Sequence, residues 1–127
     1  MISKKLKIGV LGAMLLVSGG VIAQAGGTYK DYSTTVGKLN GSGYSEYQTK
    51  AVAGQKADLD HTSNGGYNVD VRTQSSGSTG TWAKNVKAGD SRQLSNSHNK
   101  GTSTRLQFSN DITTRVSTQA RGEWRSN

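Results

Sequence analysis

The sequence predicts an all-β protein, a single small antiparallel β-sandwich of about six to eight strands behind an N-terminal signal peptide. Three observations lead there. Apolar residues recur at every second position in several stretches, as on half-buried strands whose successive side chains point to opposite faces. Clusters of Gly, Ser and Asn separate these stretches at roughly the 8–12-residue spacing of sandwiches and barrels. No stretch after residue 25 carries a helical period.

The chain opens MISKKLK, where Lys4, Lys5 and Lys7 precede an uncharged, mostly apolar run at residues 8–23. Ala23 and Ala25 then supply the small residues at −3 and −1 of a cleavage site. This three-part pattern is that of a secretory signal peptide. The run is short for a membrane anchor and is broken by glycines. Cleavage is expected after Ala25, giving a secreted, extracellular protein with one domain over residues 26–127. The chain has no cysteine and no proline. No disulfide is available, so stability must come from a small core and from backbone pairing. Without the three leader lysines, 13 Lys and Arg stand against 8 Asp and Glu, a net charge of +5. That balance favours anionic partners. Outside a cell these are wall polymers, an anionic membrane surface or extracellular nucleic acid; specific nucleic-acid recognition is not expected.

The strand candidates follow in order. TYKDYSTTVGKL (28–39) and YSEYQTKAVA (44–53) are the least regular. GYNVDVRT (66–73) sets Tyr67, Val69, Val71 and Thr73 against Asn68, Asp70 and Arg72. TWAKNVKA (81–88) aligns Trp82 with Val86, and TSTRLQFS (102–109) puts Thr104, Leu106 and Phe108 on one side. The longest run has Ile112, Thr114, Val116, Thr118, Ala120, Gly122 and Trp124 on one parity. Trp82, Trp124, Phe108, Leu106, Ile112, Val116, Val69 and Val71 are the expected core. NGSG (40–43), SNGG (63–66), SSGSTG (75–80), SNSHNKG (95–101) and SND (109–111) are the expected turns.

Chemistry-bearing residues concentrate in DLDHTSNGGYNVD, residues 58–70. Asp58, Asp60 and Thr62 match the first three oxygen positions of a calcium loop. Ser63, however, stands where the turn glycine belongs, and Val69 where the closing glutamate belongs. Asn64-Gly65-Gly66 tolerates positive φ, as a tight reversal requires. A turn is expected here, with a cation at Asp58, Asp60 and Thr62 as the alternative; no cofactor is expected. His61 and His98 are the only histidines. No nucleophile motif marks a serine as their partner, and two histidines fall short of a zinc set. An enzyme is not expected.

The basic residues offer more. Arg115, Arg121 and Arg125 share one parity of the last run, and Arg105 faces outward from the run before it. If residues 102–109 and 111–121 pair across SND, these arginines form a ladder on one sheet. Arginine presents a planar fork to phosphate or carboxylate. The alternative is a solvated outer face that discourages aggregation. Tyr29, Tyr32, Tyr44 and Tyr47 add aromatic surface suited to sugars or a membrane interface, or equally to core packing.

The N-terminal pattern, GGTY (26–29), TWAKNVKAG (81–89), RLQFSND (105–111) and RGEW (121–124) resemble small secreted β-sandwich proteins of Gram-positive bacteria. The nearest named family is the lactococcin-type, non-lantibiotic bacteriocins. The resemblance covers the leader and the last third, and implies interference with envelope synthesis at the septum. The expected function is a secreted, non-enzymatic protein that binds a cell-envelope or surface component, in bacteriocin-like fashion. The alternatives are an extracellular matrix protein that self-associates through strand edges, and a secreted inhibitor or ligand-binding module.

Overall fold

Period-two alternation produces ten strands in the computed structural model, which describes residues 27–127. The expected leader, with its cleavage after Ala25, lies outside the described residues. In chain order the strands are β1 (Lys30–Val36), β2 (Ser42–Tyr44), β3 (Gln48–Thr49), β4 (Ala57–Ser63), β5 (Val69–Ser75), β6 (Ser78–Thr79), β7 (Ala83–Val86), β8 (Ser91–Leu94), β9 (Ser103–Asn110) and β10 (Thr118–Arg125). Among the described residues there is no helix. One sheet has four strands in the order β1-β10-β4-β8. The other has six: β2-β9-β5-β6 form its path, β3 adds to β9 and β7 adds to β5. All pairings are antiparallel. The antiparallel sandwich read from the sequence is the fold. The strand count is higher because β3 and β6 are pairings of two residues each.

The inner faces of the two sheets make the core. Tyr32, Val36, Ala57, Leu59, Leu94, Ala120 and Trp124 come from the four-stranded sheet, and Val69, Val71, Val86, Leu106 and Phe108 from the other. At about 25 cal/mol per Å² of apolar surface buried, the larger of these side chains supply ~1.5–3 kcal/mol each. Gly122 lies at a register shift between β10 and β4. A Cβ there would collide with the Asp60 carbonyl and come within 2.6 Å of the Tyr32 hydroxyl. Glycine thus lets Tyr32 lie over β10, with its ring 5.1 Å from Phe108.

Four expectations are corrected. Ile112 and Val116 are 73% and 44% exposed, not core. Residues 111–117 are a crossing between sheets, held by Leu39 N–H to the Thr114 carbonyl (2.7 Å) and Asn40 N–H to the Asp111 carbonyl (3.2 Å). Only Thr114 of this segment is buried, and the strand begins at Thr118. The 102–109/111–121 hairpin does not form, because β9 pairs with β2, β3 and β5 while β10 pairs with β1 and β4. DLDHTS is strand β4 rather than a turn; the reversal is confined to the residues after it, where Gly65 and Gly66 have φ of 71° and 91°. Trp82, also expected in the core, is instead half-buried and lies just before β7, outside the core.

The sandwich is stitched along both sides. On one side the Tyr44 N–H donates to Thr34 Oγ1 at 3.2 Å, joining β2 to β1. On the other, Arg92 Nη2 of β8 donates to the carbonyls of Lys84 (2.9 Å) and Asn85 (3.3 Å) on β7. The Thr81 N–H adds a bond to the Ser95 carbonyl at 3.0 Å.

Candidate functional site

Strands β5 and β9 each carry an Arg-x-Gln tripeptide, Arg72-Thr73-Gln74 and Arg105-Leu106-Gln107. Alternation buries the middle residues, Thr73 and Leu106, and turns the Arg and Gln side chains outward. The antiparallel register sets Arg72 opposite Gln107 and Gln74 opposite Arg105. Each pair closes with a hydrogen bond: Arg72 Nε donates to Gln107 Oε1 at 2.8 Å, and Arg105 Nε to Gln74 Oε1 at 2.9 Å.

Aromatic rings support both guanidinium groups from opposite sides of the lattice. Arg105 lies 3.9 Å over the Tyr44 ring and 5.1 Å from that of Tyr47. Arg72 lies 4.4 Å over the Trp82 ring. Tyr44 is brought there by β2, where it faces Gln107, and Trp82 by the turn into β7, whose Ala83 faces Val71. Such stacking restrains a long side chain and leaves its charge in place. Asp70, the carboxylate on the outer face of β5, is engaged by Lys84 Nζ at 3.1 Å and by the Asn85 N–H at 3.0 Å. Among the described residues, neither Arg72 nor Arg105 has an ion-pair partner. Their Nη groups and the amide nitrogens of Gln74 and Gln107 likewise have no hydrogen-bond partner there.

The expected binding residues therefore divide. Arg105, Tyr44 and Tyr47 come together on this face. Arg121 and Arg125 lie on β10 in the other sheet, and Arg115 lies in the 111–117 crossing, so the four-arginine ladder does not exist. Tyr32 is 5% exposed and belongs to the core; its hydroxyl lies 2.6 Å from His61 Nδ1. Tyr29 stacks under Arg125 at 4.7 Å on the four-stranded sheet. It borders a depression of about 330 Å³ that is also lined by Asp58, Asp60, Ser91 and Arg92.

Asp58, Asp60 and Thr62 share the outer face of β4, spaced two residues apart on an extended strand instead of curling round a cation. Arg125 Nε (2.7 Å) and Asn127 Nδ2 (3.0 Å) both donate to Asp58 Oδ2. Burial raises the Asp58 pKa, but these bonds outweigh it and hold the carboxyl below its ordinary value. Asp60 accepts from Ser91 Oγ. Among the described residues, no group of three or more His, Cys, Asp or Glu is placed to hold a metal ion.

His98 is buried, with Nδ1 facing Ser75 Oγ (2.9 Å) and Ser78 Oγ (3.1 Å), and Nε2 facing Thr73 Oγ1 (2.9 Å). The sequence left this serine–histidine contact unassigned. Where a hydrolytic triad has a carboxylate to orient the ring and stabilise its positive form, His98 meets a neutral hydroxyl. Lys50 is also buried, and its Nζ donates to the carbonyls of Gln55 and, at 2.7 Å, Ser126. Burial lowers its pKa.

Reading by single strands missed Arg72, Gln74, Gln107 and the role of Trp82. The available signal was the repeated Arg-x-Gln in two alternating stretches, which says nothing until the two are known to be neighbours. No family model, curated protein or solved structure matches the chain.

Proposed function

We propose that this is a secreted, non-enzymatic protein that attaches to an anionic component of the cell envelope through the outer face of its six-stranded sheet. The observation that carries the reading is the Arg72–Gln107 and Arg105–Gln74 lattice between Tyr44 and Trp82. Guanidinium groups are normally placed near carboxylates or in free solvent. Here two lie over aromatic rings, fixed at Nε, with their forked ends unpaired among the described residues. An oxyanion completes that arrangement. The net positive charge draws such ligands to the protein. The signal-peptide pattern supports an extracellular setting, and bacteriocin-like action is the most concrete outcome of attachment there.

Assembly through strand edges is the weaker alternative, because the Thr34–Tyr44 and Arg92–Lys84 contacts bridge the two sheets along their margins. Pull-down on purified wall material and on anionic vesicles tests the proposal. Arg72→Gln with Arg105→Gln should abolish most attachment, while Arg115→Gln with Arg121→Gln should retain it. Wild-type attachment should fall as salt rises, since exposed charges are screened. Equal loss in both double variants would remove the lattice from consideration as the site.

A further inference from the structure

Building on the attachment face proposed above, we infer that its ligand is a linear polyol phosphate with three-carbon links between phosphates, whose successive phosphates are held by the two arginine–glutamine pairs. Donor chemistry selects the charge. Each glutamine Oε1 already accepts from an arginine Nε, so the uncommitted groups on these four side chains are mainly N–H donors. A neutral glycan carries hydroxyls that need acceptors as well as donors, whereas the non-bridging oxygens of a phosphodiester only accept. One guanidinium fork meets both of those oxygens.

Spacing selects the repeat. Arg72 and Arg105 are diagonal neighbours on adjacent antiparallel strands, a relation that sets their backbone positions about 7–8 Å apart, from which the two long side chains can adjust the spacing of their forks. A phosphorus-to-phosphorus link through a three-carbon unit contains six bonds and spans about 7 Å when extended, at the advance per bond of an extended chain. The lattice also lies across the outer face of a sheet, away from the depression beside Asp58 and Asp60 on the other sheet. The outer face of a sheet can be crossed by an extended polymer.

The rings decide between two polymers that share this spacing. Single-stranded nucleic acid also joins its phosphates through six bonds, but its binding sites stack bases on aromatic faces. Here Tyr44 and Trp82 use a ring face to hold Arg105 and Arg72. One face of each ring is thereby closed to a base, which favours the phosphate chain as the element that is read.

Titration calorimetry of the purified protein tests this with three probes: poly(glycerol phosphate), glycerol 1-phosphate and a mixed-sequence single-stranded oligodeoxynucleotide. The polymer should bind more tightly per phosphate than the monomer by at least about ten-fold, the gain expected when a second contact becomes intramolecular. It should also bind more tightly than the oligonucleotide. Arg72→Lys and Arg105→Lys keep the charge and lose the fork, and each should lower polymer affinity about ten-fold. Lys38→Gln, an exposed charge in the β1–β2 turn, should cost less than about two-fold, as screened surface charges do. Gln107→Glu, which sets a competing anion against Arg72, should weaken the polymer as well, and circular dichroism reports whether each variant is folded. Unchanged polymer affinity in both lysine variants would overturn the two-point grip while leaving general anionic attachment intact. Equal affinity for the monomer, or preference for the oligonucleotide, would overturn it too. Failure of the wild-type protein to bind any anionic polymer would instead overturn the attachment face itself.

Discussion

His61 and His98 are each only 1% exposed, yet they differ in how fully their ring nitrogens are used. Both nitrogens of His98 meet hydroxyls. His61 has the Tyr32 hydroxyl at Nδ1, while its Nε2 is buried without a partner among the described residues. Burial pushes both imidazoles below the ordinary value of 6.5; Asp90 opposes the shift at His61, and Lys50 adds to it at His98. The folded protein therefore binds fewer protons than the unfolded chain once the pH drops below that value. Stability is full above it and declines as the pH falls toward the depressed folded values. The carboxyl of Asp58, held low, keeps its contribution until the pH is lower still. The urea midpoint should be level from about pH 8 to 7 and should fall between about pH 6.5 and 5. A midpoint that stays level to pH 5 would show that neither ring is kept neutral by the fold. Little of this was legible in the sequence: His61 and His98 sit in polar surroundings, and only the alternation of β4 and the fold of the 95–102 loop carry them inside.

Strands differ in how openly their sequences announce them. β5 and β9 alternate buried and partly exposed residues along almost their whole length, and their inward residues were legible because one side faces the core throughout. In the segment leading into β10, the same parity runs on through Ile112, Thr114 and Val116, although the chain there is a crossing. Two apolar side chains at the right spacing look like a strand whether or not a partner lies beside them. Ile112→Ser with Val116→Ser should therefore shift stability by less than about 0.5 kcal/mol per site, as exposed positions usually do. Thermal melts within a degree or two of wild type are the expected result. A loss of several kcal/mol would mean that the crossing packs against something that its exposure does not reveal.

For the molecule as a whole, period-two patterning and turn spacing sufficed for the class but not for the assignment of strands to sheets. That assignment decides the binding face. Arg105 was read correctly as outward, yet its neighbours are Gln74 and Arg72 from β5, reached only by a long-range pairing that no local pattern encodes. The closure of the sandwich depends on comparable long-range contacts. Arg92 spans from β8 to two carbonyls on β7, and hydrogen bonds to a charged group contribute about 1.5–3 kcal/mol where they are well shielded. Arg92 is partly exposed, so Arg92→Ala should cost somewhat less, about 1–2 kcal/mol, in a urea melt. It should also free strand edges for pairing with another copy. Light scattering should then detect concentration-dependent assembly that the wild-type protein does not show, and an unchanged particle size would mean that this margin is guarded by other contacts. The reciprocal Arg-x-Gln pairs have a consequence of a different kind. Two Arg-x-Gln tripeptides running in opposite directions relate their outward side chains by a local dyad normal to the sheet, so a polymer laid across it meets the same four donor side chains whichever of its ends leads. Such a face is blind to chain polarity, and on a surface whose strands emerge pointing both ways every strand is an equivalent landing place.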